Sequence, residues 1–139
     1  MGEVKVEVEL ENYVDREMSN RGYIKAEQIR SIMARVVADT GAVMLVLPQD
    51  MVEALGLRLN GTVIVTYADE RKEERPLARG VTVRVGKREA LASCVVGPPL
   101  SEPWLGQVIL EQMDLLVDCA EQKLVPRPES PFLPTLKLK

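Results

Sequence analysis

The chain has 139 residues, with 18 Lys or Arg against 21 Asp or Glu and a formal net charge of −3. It contains no histidine, which excludes Ser-His-Asp and Cys-His nucleophile pairs, His-ligated zinc and the HExxH metal helix. The slightly acidic balance gives no general attraction to phosphate backbones, so we expect no nucleic-acid partner.

Neither cofactor chemistry nor a membrane is expected from the remaining composition. Cys94 and Cys119 lie 25 positions apart without any CxxC motif, which fits neither a zinc site nor a disulfide framework. We interpret both as buried free thiols in a reducing cytoplasm, and we expect no metal and no cofactor. The longest wholly apolar run is Ala42–Leu47, so we expect no membrane span, no export signal and a cytoplasmic location.

The first half of the chain alternates apolar strands with polar connections. Val4–Leu10 alternates apolar and charged residues, a period of two that predicts a half-exposed strand. Asn12–Gln28 is polar and is interpreted as a connection. Ile32–Val37 and Val43–Leu47 predict two buried strands on either side of a tight turn.

A short helix and a charged hairpin follow. Pro48–Leu55 predicts the helix, because Pro fits a first turn and the next residue, a glycine, fits the left-handed position after the last turn. Asn60-Gly61 predicts a turn, and Val63–Tyr67 predicts a strand. Asp69–Arg75 is a run of seven charged residues, interpreted as a solvated hairpin tip.

The second half predicts two more hairpins, a second helix and a tail. Alternating valines predict paired strands at Val81–Val85 and Ala90–Val96, and Leu105, Ile109 and Met113 repeat every four residues as in a helix. A last hairpin is predicted from Leu115–Val117 and Lys123–Val125. The prolines that follow indicate an extended tail without packed structure. Many short strands with two short helices predict a closed or sandwiched, mostly antiparallel β-domain.

The tripeptide Asp39-Thr40-Gly41 places a carboxylate on the tight turn between two buried strands. Alone, this motif is most often a structural turn in which Asp39 accepts a hydrogen bond from the backbone two residues on and Gly41 supplies a positive φ. A second segment, Pro103-Trp104-Leu105-Gly106-Gln107, has an apolar pair and a glycine before the second predicted helix.

The two motifs together resemble the retropepsin-like (clan AA) aspartic proteases, in particular the small non-viral, single-repeat type of bacteria and archaea. The resemblance runs from about Ile29 to Pro128, and includes the Leu-Val-Leu-Pro stretch after the turn and the Gln-Lys-Leu-Val-Pro ending. It implies a mostly β, acid-protease barrel with two short helices and one lobe per chain. Residues 1–125 would form this domain, and residues 126–139 would form a Pro-rich tail that is a candidate for part of a dimer interface.

The resemblance also implies the site and the reaction. Asp39 would be the catalytic carboxylate of an aspartic endopeptidase that needs no cofactor, acting on a peptide or protein substrate. Peptide hydrolysis by this route requires two carboxyls that share one proton, and no other aspartate in the chain is followed by Thr-Gly or Ser-Gly. A homodimer would therefore bring two copies of Asp39 together. The supporting residues implied are Thr40, Gly41 and Ala42 in the turn, with Thr40 bonding across to the partner subunit, and Trp104, Leu105 and Gly106 behind it.

Two positions depart from the viral members of the family. Their substrate-covering flap usually has a glycine-rich tip, whereas the corresponding hairpin here has its tip at Tyr67, Ala68, Asp69 and Glu70 within a charged segment. Gln107 also stands where viral relatives commonly have arginine. These differences leave the closure of the flap and the support behind the site open.

Two other functions are compatible with parts of the sequence. The segment Val43–Ala68, with its strand, helix, Leu-Gly-Leu and strand, also resembles swapped-hairpin DNA-binding regulators and antitoxins. That resemblance leaves both Asp39-Thr40-Gly41 and the Trp104 segment unexplained, and basic residues are not concentrated near the helix. A protease-like fold that binds peptides without hydrolysing them is the third interpretation.

Overall fold

The computed structural model describes residues 3–135. Within these residues the strands are β1 (Val4–Asn12), β2 (Ser31–Ala38), β3 (Leu45–Pro48), β4 (Arg58–Thr66), β5 (Lys72–Val85), β6 (Arg88–Gly97), β7 (Trp104–Leu105), β8 (Leu115–Asp118) and β9 (Lys123–Pro126). The helices are α1 (Tyr13–Asn20), α2 (Gln49–Leu55) and α3 (Gln107–Met113), with a 3-10 turn at Ala26–Gln28. The predicted mostly β architecture is confirmed.

Six strands close into a ring. The sheet runs in the order β1-β2-β7-β3-β6-β5-β4, and β1 also pairs with β5, so that β4 alone extends beyond the ring. β2 with β7 and β3 with β6 are parallel pairs, and the other pairings of the ring are antiparallel. Alternate strand side chains fill the ring, among them Val8, Leu10, Val36, Leu45, Leu47, Val83 and Leu105, and Met113 of α3 belongs to the same core.

The segment predicted as a polar connection contains α1, so that interpretation was wrong. Asn12 caps this helix by accepting a hydrogen bond from the Asp15 N–H (2.9 Å), and its amide group donates to the Leu55 carbonyl at the end of α2 (2.8 Å). The Asp15 carboxylate then holds the Arg30 guanidinium and the Arg30 N–H at 2.8–3.0 Å. These long-range polar contacts, rather than an apolar stripe, fix the helix against the ring.

The β4–β5 hairpin differs from its prediction at both ends. Gly61 does adopt a positive φ of 90°, but it lies inside β4, where the register shifts between Leu59 and Thr62. The Asn-Gly pair therefore forms a bulge in a strand instead of a turn. Most of the charged run also belongs to a strand, because β5 begins at Lys72.

The Pro-rich tail is packed, contrary to the prediction of an extended segment without packed structure. The Asp114 carboxylate, at the end of α3, accepts hydrogen bonds from the Arg127 guanidinium, the Ser130 hydroxyl and the Thr135 N–H. Arg88, itself buried, donates to the carbonyls of Met113, Asp114 and Ser130. Residues 127–135 are thus fastened to α3, while residues 136–139 lie outside the described part of the chain.

Candidate active site

Asp39 lies directly after β2, at the point where the strand leaves the ring. Its N–H donates to the Leu105 carbonyl (3.0 Å), and its carbonyl accepts from the Ala42 N–H (3.2 Å). The Gly41 N–H donates to Asp39 Oδ1 at 2.8 Å, as predicted for a carboxylate that orders its own turn. The side chain is half-buried, so the carboxylate is held in one orientation while part of it faces solvent.

Gly41 is needed for a different reason from the one expected. It does not adopt a positive φ. Instead, a Cβ at this position would lie 3.1 Å from Asp39 Oδ1, close to the atom that the Gly41 N–H already binds. The glycine therefore eases the approach of the backbone to the carboxylate, and a larger residue would require the Asp39 side chain to shift by a few tenths of an ångström.

The Trp104 segment passes immediately behind the Asp39 turn. Trp104 pairs with Val37 of β2 on one side and with Val46 of β3 on the other, and Leu105 pairs with Ala38. The two motifs that are far apart in sequence are therefore neighbours in one sheet.

Backbone hydrogen bonds then join the start of α3 to the residues after the turn. The Gln107 N–H donates to the Ala42 carbonyl (2.8 Å) and the Val108 N–H donates to the Val43 carbonyl (3.2 Å). A Cβ on Gly106 would lie only 2.6 Å from the Met44 carbonyl oxygen, so only glycine permits this contact. The Gln107 side chain bonds to Glu111 along α3 (2.9 Å), and it is the backbone of Gln107 that supports the turn.

The sheet places an apolar surface beside the carboxylate. Leu45, Leu47 and Leu105 belong to the core of the ring, and alternation puts Val46 and Trp104, both half-buried, on the opposite face. Asp39 continues the same outward face of β2. The outward face around the turn thus carries the Asp39 carboxylate together with an apolar floor formed by Val46 and Trp104.

Exposed residues border the turn on the side of α3. Thr40 is exposed, as are Val43 (66% of its surface) and Val108 (46%), which are joined by the hydrogen bond between the Val108 N–H and the Val43 carbonyl. Two large apolar side chains next to a polar site are a surface that a partner could cover.

The predicted flap residues occupy the tip of the β4–β5 hairpin. The Tyr67 N–H donates to the Arg71 carbonyl and the Glu70 N–H to the Tyr67 carbonyl, each at 2.9 Å, and the Arg71 guanidinium lies 4.4 Å from the centre of the Tyr67 ring. Ala68 and Asp69 complete this turn, and the backbone hydrogen bonds of the tip are made within it. β5 pairs with β6 only from Leu77 onward, so the hairpin projects from the ring, and its role as a flap stays a prediction.

No sequence pattern marked the backbone atoms that join the two motifs of the site. The carbonyls of Ala42 and Val43 accept hydrogen bonds from the start of α3, and the Met44 carbonyl lies against Gly106. Every residue has a carbonyl, so the sequence does not show which ones make these contacts. Only the glycine of Trp-Leu-Gly hinted at a close approach of two backbones.

The two cysteines differ in their exposure to solvent. Cys94 is buried, and its burial raises the pKa of the thiol to about 12, which keeps it protonated. Cys119 is exposed, so the expectation that both thiols are buried was wrong for this residue. Residues 3–135 contain no cluster of three or more acidic or cysteine side chains placed to hold a metal ion.

A comparison with protein families identifies the fold. The profile of the family described as Aspartyl protease matches residues 28–110, which is more than half of the chain and includes both the Asp39 turn and the Gly106 segment. The chain belongs to this aspartyl protease family. Its mostly β ring with short helices is that of a retropepsin-like fold. No curated protein matches the sequence.

The aspartyl protease match also covers the segment that resembles DNA-binding regulators. β3 is enclosed between β7 and β6 in the ring, so this strand belongs to the protease-like sheet. No helix in the described residues is long and apolar enough to cross a membrane.

Proposed function

We propose that this aspartyl protease family member is an endopeptidase that works as a homodimer, with one Asp39 from each chain at a shared site. The observation that carries the proposal is the locked Asp39 turn, in which Gly41, Leu105 and Gly106 hold one partly exposed carboxylate beside an apolar floor. Hydrolysis by an aspartic protease needs two carboxyls held in position and open to substrate, and each chain of the proposed homodimer would supply one of them.

The reaction requires two such carboxyls with one proton between them. The ionised carboxylate takes a proton from the attacking water, and the protonated carboxyl gives its proton to the scissile carbonyl oxygen as the water oxygen bonds to carbon. The carboxyl that was protonated in this step then gives its proton to the amide nitrogen, and the other carboxylate takes a proton from a hydroxyl of the tetrahedral intermediate as the carbon–nitrogen bond breaks. The pair is left with one proton, as at the start. Because one chain supplies one Asp-Thr-Gly, a two-fold axis close to Asp39 would supply the second carboxyl.

The surface around the turn supports this arrangement. Thr40 and the apolar pair Val43 and Val108 are exposed at the same edge as Asp39, and a second copy related by a two-fold axis would cover them with the same residues. This contact would bury apolar area and bring the two turns together in one step.

A peptidase assay on a mixed peptide library tests the proposal. Asp39→Asn keeps the size of the side chain and the oxygen that accepts the Gly41 N–H, but it removes the titratable carboxyl. We expect a loss of at least about a thousandfold in kcat/KM, with an unchanged circular dichroism spectrum. Asp118→Asn, the same change on β8, is the matched control and should leave the activity as it is. Wild-type chain that binds library peptides without cleaving them would instead establish a non-catalytic peptide-binding module.

A further inference from the structure

Two arginines stand opposite each other where the β4–β5 hairpin joins the ring. Arg58 begins β4 and is the register partner of Arg79 on β5, and Arg79 is in turn the partner of Ser93 on β6. Ala78 belongs to the core, so alternation directs Arg79 and its two register partners to the outward face. The three side chains lie side by side on three strands, and we call them the arginine row.

The arginine pair differs from the other opposed charges of the described strands. Those other pairs combine opposite signs, namely Glu7 with Arg35, Glu9 with Arg84, Arg84 with Glu89, and Asp118 with Lys123. Like charges directly opposite each other repel and destabilise a sheet. Folded proteins keep such unfavourable local choices chiefly at functional sites, so the pair points to a function.

No carboxylate of residues 3–135 lies within ion-pair distance of either arginine. The ion pairs of these residues involve other cations, namely Lys5, Arg16, Arg30, Arg71, Arg75, Arg84 and Arg127. Both arginines of the row are exposed, and Arg79 Nη1 donates to Ser93 Oγ at 3.3 Å. A guanidinium has five N–H donors, so the row offers most of its donors to a ligand.

We propose that the arginine row binds an acidic segment of a protein partner, in which two or more Asp or Glu side chains lie close together. Neighbouring strands are about 4.8 Å apart, and carboxylates on alternate residues of an extended segment are about 7 Å apart. The long arginine side chains can cover this difference. A single exposed ion pair contributes little in water, so the ligand must contact both guanidinium groups at once.

The free edge of β4 gives such a segment access to the row. β4 pairs with β5 and extends beyond the ring, and in residues 3–135 no strand covers its other edge, which begins at Arg58. An extended segment that pairs with this edge places every second side chain on the face of the row. The inference does not rest on the proposed peptidase function, because the row uses neither Asp39 nor its turn.

A fluorescent peptide of alternating glutamate and serine tests the arginine row by anisotropy on the full chain. Arg58→Gln and Arg79→Gln should each weaken binding about fivefold, and the double variant about twentyfold. Tm should stay the same or rise by about 2 °C, because the repulsion between the arginines is removed. Arg35→Gln, at an exposed arginine opposite Glu7, is the matched control, and should lower Tm slightly without changing the affinity.

Competitors test the class of ligand. The same peptide with glutamine in place of glutamate should not compete, and inorganic phosphate should compete at least about tenfold less well than the acidic peptide, since it carries one charged group. Binding should also weaken as salt is added. Asp39→Asn should bind the peptide as the wild type does, so a failure of the proposed function would leave this result unchanged.

Three outcomes would overturn the inference. The first is a wild-type chain that shows no saturable binding of the acidic peptide at low salt. The second is a double variant whose Kd lies within twofold of the wild-type value. The third is competition by phosphate as strong as by the peptide, which would show a site for small anions instead of an acidic protein segment.

Discussion

At the scale of single residues, Asp114 shows how one carboxylate organises a segment that hydrophobic patterning leaves unexplained. It ends α3 with a left-handed φ of 57° and accepts hydrogen bonds from Arg127, Ser130 and Thr135. The Arg127 guanidinium, with the Ser130 hydroxyl, holds the pKa of the Asp114 carboxyl well below its usual range. The last described residues of the chain therefore depend on one ionised group.

This dependence predicts an acid-sensitive contribution to stability. Because the folded-state pKa of Asp114 is lowered, its contribution is present above the ordinary pKa of 3.8 and is lost as the pH falls from about 5 through the lowered value. Asp114→Asn should therefore lower Tm more at pH 7 than at pH 3. Thermal unfolding at both pH values, with Asp118→Asn as control, measures the effect. Equal losses at the two pH values would contradict it.

At the scale of elements, the contact between β7 and the Asp39 turn is the feature on which the site depends. Gly106 admits the carbonyls of Val43 and Met44 at distances that no Cβ allows. The start of α3, the end of β2 and the turn are consequently one packed unit. A change in any of the three is expected to move the carboxylate.

Gly106→Ala tests this contact directly. The added methyl group must displace backbone, so we expect a loss of about 3 kcal/mol in the free energy of unfolding and a lower kcat. Gly86→Ala is the control, because its φ of 59° is unfavourable for alanine but no atom lies within 4 Å of the new Cβ; it should cost about 1 kcal/mol and leave kcat unchanged. Urea unfolding compares the two. Similar losses at both positions would show that the Gly106 contact is not special.

The elements also show where sequence reasoning succeeds. Alternating or continuous apolar residues predicted β1, β2, β3, β6 and the last five residues of β5. The apolar spacing also predicted both α2 and α3, and each ends at a left-handed residue. Leu105, predicted as the first residue of the second helical repeat, lies in β7 instead, and α3 begins at Gln107. In these elements the local pattern and the buried face agree, so the sequence alone is sufficient. The proximity of the Asp39 turn and the Trp104 segment followed from the family resemblance.

Elements fixed by distant polar contacts could not be predicted in this way. α1 buries no apolar side chain and depends on the Asn12 amide, which donates to the Leu55 carbonyl. The tail depends on the Arg127 guanidinium, which donates to the Asp114 carboxylate. Nothing local marks these partners in the sequence. Gly61 was predicted to form a turn, but it lies in a bulge of β4. Both structures use a positive φ, so the Asn-Gly pair alone does not distinguish between them.

At the scale of the whole molecule, the proposed dimer requires the edge that carries Asp39 to be covered. Val108→Asp would place a charge in that contact, so we expect the dimer to weaken by about a hundredfold or more, with activity lost in parallel. Val14→Asp on α1, where the valine exposes 59% of its surface, is the matched control and should leave a dimer. Sedimentation across a range of concentrations measures both variants. A Val108→Asp dimer as stable as the wild type would place the interface elsewhere.

The central claim is that the two subunits contribute one Asp39 each to a single site, and mixed dimers test it most directly. Wild-type and Asp39→Asn chains are exchanged at random in equal amounts, and exchange is verified with a mass-tagged chain. A mixed dimer holds one carboxyl and one amide, so it cannot both accept a proton from water and donate one to the scissile group. Only dimers of two wild-type chains should then work, giving about one quarter of the activity per total chain of an all-wild-type sample. Activity of about one half, the share of wild-type chains, would show that each subunit acts alone and would contradict the shared site.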